Sequence, residues 1–134
     1  MKIFGKEYFK IFKLLEEILY RYNFPKYKRK LKNFNAFAKS VNELCGDTIE
    51  IYLEILEDKI LDIGYEGKCC TISQGVLEIL IDKILNETIS DIKKLDVNYL
   101  NDLIGENIIK VRTKCALIGL ETIKKAIEKY EGNS

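Results

Sequence analysis

The chain has 134 residues, a net charge of +1 and 47% hydrophobic residues, which fits one domain able to bury a core without disulfide staples. No run approaches the roughly 18 unbroken apolar residues of a membrane-spanning helix, and the charged start Met1-Lys2-Ile3-Phe4-Gly5-Lys6-Glu7 lacks a signal peptide's apolar stretch, so a cytoplasmic setting with reduced thiols and no membrane partner is expected. Histidine is absent, which removes imidazole from every metal site and proton transfer.

In chain order, Tyr8, Ile11, Phe12, Leu15, Ile18 and Leu19 have the spacing of one helix face, predicting a helix from about Lys6 to Tyr20. Pro25 stops its continuation. A turn-rich basic stretch follows, with Arg21, Lys26, Lys28, Arg29, Lys30 and Lys32 and no acid between Glu17 and Glu43. Residues 1–44 carry a net +7 and the remainder −6. Such a patch suits nucleic acid or an acidic protein surface; the plainer reading is a solvated loop.

Asn33 to Val41 alternates weakly and reads as a strand. Thr48 to Ile55 alternates cleanly, with Ile49, Ile51, Leu53 and Ile55 on one side and Thr48, Glu50, Tyr52 and Glu54 on the other. Glu57-Asp58-Lys59 can turn the chain, and Ile60 to Tyr65 returns as its hairpin partner. From Ser73 to Leu85 the period is helical, and Thr71 with Gln74 has the form of a capping box. Short helices follow from Thr88 or Ser90 to Leu95 and from about Asn98 to Ile104. A last helix spans about Thr113 to Tyr130, with Lys124 among its apolar side chains and required to snorkel. Helix, strands, then helices predict an α+β domain, a small antiparallel sheet with helices packed on one face.

Three cysteine motifs punctuate these elements: Cys45-Gly46-Asp47, Gly67-Lys68-Cys69-Cys70-Thr71-Ile72-Ser73 and Arg112-Thr113-Lys114-Cys115-Ala116. With one thiol from each they offer three sulfurs and a carboxylate, enough for a tetrahedral metal site. Cys70 precedes a predicted helix start, Cys115 lies in a helix's first turn beside Arg112 and Lys114, and both positions favour a thiolate. Gly46 can take a positive φ and bring Asp47 round beside Cys45. The long gaps between motifs differ from paired C-x-x-C knuckles, so ligands would come from separate loops at one end of the sheet. Buried cysteine is the plainer alternative for each thiol, and Cys69 reads as core or bystander.

These residues resemble the U-type iron–sulfur cluster scaffold family, which contains IscU, SufU and the N-terminal domain of NifU. Cys45-Gly46-Asp47 matches the family's Cys-Gly-Asp, Tyr65 to Ser73 its aromatic-x-Gly-x-Gly-Cys and Ile-Ser, and Arg112 to Ala116 its Arg-x-Lys-Cys-Ala. Tyr22-Asn23-Phe24-Pro25-Lys26 is similar to its upstream tyrosine and proline signature. The similarity runs through about residues 20–130 of one domain spanning 1–134.

The resemblance implies a SufE/NifU-like fold and a scaffold that accepts sulfur from a cysteine desulfurase. It implies that a labile 2Fe–2S cluster is built on Cys45, Asp47, Cys70 and Cys115, then passed to apo iron–sulfur proteins. Iron or Zn²⁺ would occupy the same ligands. Cys45 is the implied sulfur acceptor in the SufU-like branch and Cys115 in the IscU-like branch. Arg112 and Lys114 would support the site by balancing its negative charge. IscU members carry His before the last cysteine where Lys114 stands; SufU members carry an insertion there for which this chain has little room. The glycine before the second cysteine is Cys69, and the Leu-Pro-Pro-Val-Lys chaperone motif has no counterpart. The alternatives are a zinc-dependent sulfurtransferase that activates a cysteine desulfurase through the same residues, and a structural metal with an RNA-binding basic face bearing Tyr20, Tyr22, Phe24 and Tyr27. Nucleic acid is the less expected partner, and a homo-oligomer is an open reading.

Overall fold

The computed structural model describes residues 2–44 and 46–132, with side chains from residue 8 onward. Helix α1 (Lys2–Asn23) leads into strands β1 (Ala36–Asn42), β2 (Asp47–Leu56) and β3 (Lys59–Lys68). Helices α2 (Thr71–Ile84), α3 (Ile89–Lys93), α4 (Val97–Leu103) and α5 (Glu106–Ile109) follow; a 3-10 turn (Lys110–Arg112) then delivers the chain to α6 (Thr113–Gly132). The α+β expectation holds: three antiparallel strands in the order β1-β2-β3, with helices on one face.

The β2–β3 hairpin turns through Glu57 and Asp58, both at positive φ, which matches the twist of a two-residue hairpin. The register shifts beyond the Glu54/Ile55 step, leaving Leu61 as an extra residue on β3. The shift lets both Ile60 and Ile63 reach the core despite their odd spacing; each is fully buried. Ile49, Ile51, Leu53 and Ile55 face the same core as predicted. Tyr52, on the opposite face, is also buried, beneath Phe34 and Phe37 with ring centroids 5.0 and 5.2 Å away.

Helix α2 is buried almost all round, from Ser73 to Ile81, and lies between α1 and α6. An apolar helix in that position needs no polar face, yet it carries Gln74, Glu78 and Asp82 at four-residue spacing. This ladder receives the basic segment that follows α1. Gln74 Nε2 donates to the Tyr22 carbonyl at 2.9 Å, and its Oε1 accepts from Lys28 Nζ at 2.8 Å. Glu78, wholly buried, accepts from the Lys26 and Tyr27 backbone N–H groups at 2.9 and 3.0 Å and from the Tyr65 hydroxyl at 2.7 Å. Asp82 pairs with Arg21 and accepts from the Tyr27 hydroxyl. Arg29 grips both oxygens of Asp62 at 2.9 Å and the Ile63 carbonyl at 2.9 Å, which covers the outer edge of β3. The solvated-loop reading holds for Lys26, Lys30 and Lys32, which are exposed, while Arg21, Lys28 and Arg29 hold the segment to α2 and β3.

The expectation for α1 also needs correction. Of the six residues assigned to one face, only Ile18 is fully buried; Tyr8, Phe12, Leu15 and Leu19 are exposed. The helix is covered along a stripe through Leu14 and Ile18, where Ile18 sits over Gly75 of α2. The neighbouring apolar stripe lies beside that contact and is exposed. At the far end of the chain, Lys124 snorkels as expected, donating to the Leu95 carbonyl at 2.8 Å.

Candidate metal centre

The centre lies at the end of the sheet where β1 ends, β2 begins and β3 ends, and where α2 and α6 start. Antiparallel pairing sets Asn42 opposite Asp47 and Thr48 opposite Lys68, so three strand termini meet by register alone. Gly46, at φ 71°, makes the turn into Asp47. Gly67 is at φ 130°, and a Cβ there would lie 2.0 Å from the Thr48 carbonyl oxygen. Only glycine lets β3 press this closely on β2, and that approach delivers Cys69 and Cys70 to Asp47.

Asp47 is 1% exposed. Its Oδ1 accepts the Cys70 backbone N–H at 2.9 Å, which leaves Oδ2 facing Cys70 Sγ at 3.8 Å. Cys70 is itself the N-cap of α2. The predicted cap at Thr71 is thus off by one residue, because the sulfur takes the place an oxygen would have. Sγ accepts from the Ser73 N–H at 3.4 Å and lies 3.4 Å from Ser73 Oγ. Gln74, assigned by sequence to a capping box, instead tethers the Tyr22–Lys28 segment. Cys115, the third residue of α6, is 4% exposed, with Asn42 Nδ2 3.8 Å from its sulfur. Asn42 Oδ1 accepts the Leu44 N–H at 3.2 Å and so shapes the turn that follows β1.

One ligand atom each from Asp47, Cys70 and Cys115 lie within 4.8 Å of one another. Tetrahedral zinc, with metal–sulfur bonds of about 2.3 Å and metal–oxygen bonds of about 2.0 Å, sets its ligand atoms roughly 3.5–3.8 Å apart. The Cys70–Asp47 distance is already there, and a small inward shift closes the trio. Two thiol sulfurs with one carboxylate oxygen suit zinc or iron rather than magnesium or calcium. Cys45 lies outside the described residues.

The remaining sequence-derived candidates divide. Arg112 and Lys114 are exposed; Lys114 lines an open groove with Ser40, Asn42, Glu43 and Glu121. Cys69 is not one of the converging residues. Its sulfur is 4.0 Å from the Thr48 carbonyl and packs against the core. Burial pushes its thiol up to about 11, against the pull of Lys28. Two residues acquire a role only in the structure: Ser73 and Asn42 set polar groups on Cys70 and Cys115. Ser73 has a sequence signal, its three-residue spacing from a helix-starting thiol. Asn42 has one only after the strand register is known.

Comparison with known proteins gives the family and the fold. The profile of the family described as NifU-like N terminal domain matches residues 14–134. The chain belongs to that family. It is 28% identical to the iron–sulfur cluster assembly scaffold protein IscU of Thermotoga maritima, over 89% of this chain and 96% of that protein. It is 24% identical to the zinc-dependent sulfurtransferase SufU of Bacillus subtilis, over 87% of this chain and 90% of that one. Among solved structures, the N-terminal NifU-like protein from Brucella abortus superposes with a TM-score of 0.75 at 15% identity, covering 92% of this chain and 99% of that one. A scaffold protein of the SUF system from Fervidobacterium islandicum gives 0.67 at 24% identity, covering 83% and 93%. The NifU-like fold thus carries here a Cys/Asp group able to hold a metal.

Proposed function

We propose that the chain is an iron–sulfur cluster assembly scaffold. It accepts sulfur from a cysteine desulfurase, assembles a labile 2Fe–2S cluster on Cys45, Asp47, Cys70 and Cys115, and passes the cluster to apo-proteins. The convergence of Asp47, Cys70 and Cys115 from three separate elements carries the reading. The kinship with IscU scaffolds supports it.

In sulfur transfer, an acceptor thiolate attacks the terminal sulfur of the donor's persulfide. A new S–S bond forms, the donor's S–S bond breaks, and the donor cysteine leaves as thiolate. Cys45 and Cys115 are the proposed acceptors. Making sulfide from that sulfur takes two electrons from an external reductant. The cluster is cargo in this scheme, and this chain's residues hold and release it. Asp47 Oδ2 is a hard donor beside soft sulfurs, which favours release. The Ser73 N–H and Asn42 amide supply donors to the charge on metal-bound sulfur. Exposed Arg112 and Lys114 offset the charge of thiolates plus cluster from outside.

Anaerobic incubation with a cysteine desulfurase and cysteine, with ferrous iron and dithiothreitol added only after the persulfide has been read, tests the reading. The expected result is persulfide on Cys45 or Cys115 by mass spectrometry, then a coloured protein with equal iron and acid-labile sulfide. A colourless zinc protein that accelerates the desulfurase would instead establish the sulfurtransferase alternative. No persulfide on either cysteine would remove the sulfur-acceptor role.

A further inference from the structure

The two edges of the sheet are treated differently. On the β3 edge, the Tyr65 N–H donates to the Tyr27 carbonyl at 3.2 Å and Arg29 Nη1 donates to the Ile63 carbonyl at 2.9 Å. The first of these bonds also fixes which way β1 faces. Tyr65 turns its backbone away from β2, so Ile51 opposite it turns toward β1, where it meets Ala38. Phe37, Lys39 and Val41 flank and alternate with Ala38, so their N–H and C=O groups turn outward. Among the described residues a single hydrogen bond is made on that side, from Lys125 Nζ to the Lys39 carbonyl at 2.9 Å. The N–H groups of Phe37 and Val41 are left open, and Val41 is 57% exposed. A groove of about 580 Å³ runs beside Val41 between β1 and α6, and reaches Asn42 and Lys114 at the metal centre.

We propose that the outer edge of β1 receives an extended, cysteine-bearing segment of a recipient apo-protein as an added strand, and that this pairing brings the segment's thiol to the metal centre. The identity of the guest as a recipient rests on the scaffold reading above. A row of open N–H and C=O groups is a template for another strand. A cysteine loop that has not yet received its metal lacks the bonds that would fold it, so its backbone is free to supply that strand. An antiparallel guest would set apolar side chains against Val41 and Phe37 and an acid against Lys39. Its leading residues would pass Glu43 at the end of β1, where Asn42 Nδ2 lies 3.8 Å from Cys115 Sγ. Net charge selects no guest here, since Lys39 lies 3.8 Å from Glu50 and Lys114 shares the groove with Glu43 and Glu121. Register does select. A second copy pairing all three outward residues about a two-fold axis would set Lys39 directly against Lys39, and a lysine on an edge strand opposes self-pairing. A foreign strand carries an acid at that position instead.

The probe is a peptide, Ser-Gly-Val-Thr-Glu-Thr-Val-Thr, labelled with fluorescein at its C-terminus and carrying serine in place of the thiol so that metal ligation adds nothing. Fluorescence anisotropy with the full chain should show saturable binding. Val41→Pro removes one open N–H and leaves the β1–β2 ladder whole, because that ladder does not use it; binding should fall at least about tenfold. Phe37→Pro should act likewise, and both variants should keep the circular dichroism of the wild type. Amide hydrogen exchange should find Ala38 and Ser40 protected in the free chain, and Phe37 and Val41 protected only with the peptide bound. Absence of saturable binding overturns the proposal, and so does binding that both proline variants leave intact. Protection of Phe37 and Val41 that rises with protein concentration alone gives the edge to a second copy and overturns it too. Cluster assembly, measured on the same wild-type protein, separates this inference from the scaffold reading. Assembly without peptide binding removes the docking edge alone; peptide binding by a chain that assembles no cluster removes the recipient, and the proposal with it.

Discussion

At the residue scale, the centre is a set of sulfur and oxygen atoms held in place by their neighbours. Ser73→Ala keeps all three converging ligands but removes the hydroxyl beside Cys70 Sγ, and Asn42→Ala removes the amide near Cys115. Each should weaken zinc binding by roughly 10-fold, the lower end of the effect for groups that orient metal ligands. Competition with a chromophoric chelator measures this, and unchanged affinity in both would deny the Ser73 hydroxyl and the Asn42 amide a part. Cys69 behaves differently. Its thiol ordinarily titrates near 9.0 and is pushed up to about 11 by burial. The raised value means the neutral thiol is favoured in the fold, so its contribution to stability is complete below pH 9 and lost as pH rises from 9 to 11. Iodoacetamide labelling of the metal-free protein should find Cys69 slow at pH 7.5 and faster with each step toward pH 11. Labelling at the rate of a free peptide thiol would contradict its burial. Asp47, Cys70 and Cys115 were legible in the sequence because turn glycines and helix starts mark where a thiolate is stabilised. Asn42 was not, because its role depends on which residue of β2 it faces.

At the element scale, the strands and long helices follow from periodicity, while the polar seam between α2 and the Tyr22–Arg29 segment does not. A Glu inside an apolar helical period looks like a surface position; Glu78 is instead the buried acceptor for two backbone N–H groups and Tyr65. Glu78→Ala strands those donors and should cost about 3–5 kcal/mol in urea unfolding. Tyr65→Phe removes one of the three bonds to a buried acceptor and should cost about 1–3 kcal/mol, the range for leaving a buried polar group short of a partner. Equal stability of Glu78→Ala and wild type would mean the segment is not held through α2. Gly67→Ala should push β3 away from Thr48 and lower both stability and metal affinity. Stripe choice on α1 was also illegible. Two apolar stripes have equal claim by spacing, and only the seat of Ile18 over Gly75 decides which is covered. Helix α5, four residues long, is too short to produce a period.

At the scale of the whole molecule, strand register and two helix starts bring residues 47, 70 and 115 to one end of the sheet. A metal held there would therefore be coupled to folding: zinc at about 100 times its Kd should add about 2.7 kcal/mol to stability. A chelator should abolish the gain, and Cys70→Ser should show little of it. The most direct measurement is X-ray absorption at the zinc edge on the zinc-loaded protein and on single Cys45→Ala, Cys70→Ala and Cys115→Ala variants. A shared centre predicts three sulfur scatterers at about 2.3 Å and one light scatterer near 2.0 Å, with one sulfur lost in each variant. A wild-type spectrum dominated by oxygen or nitrogen, or one that Cys70→Ala and Cys115→Ala leave unchanged, would contradict it.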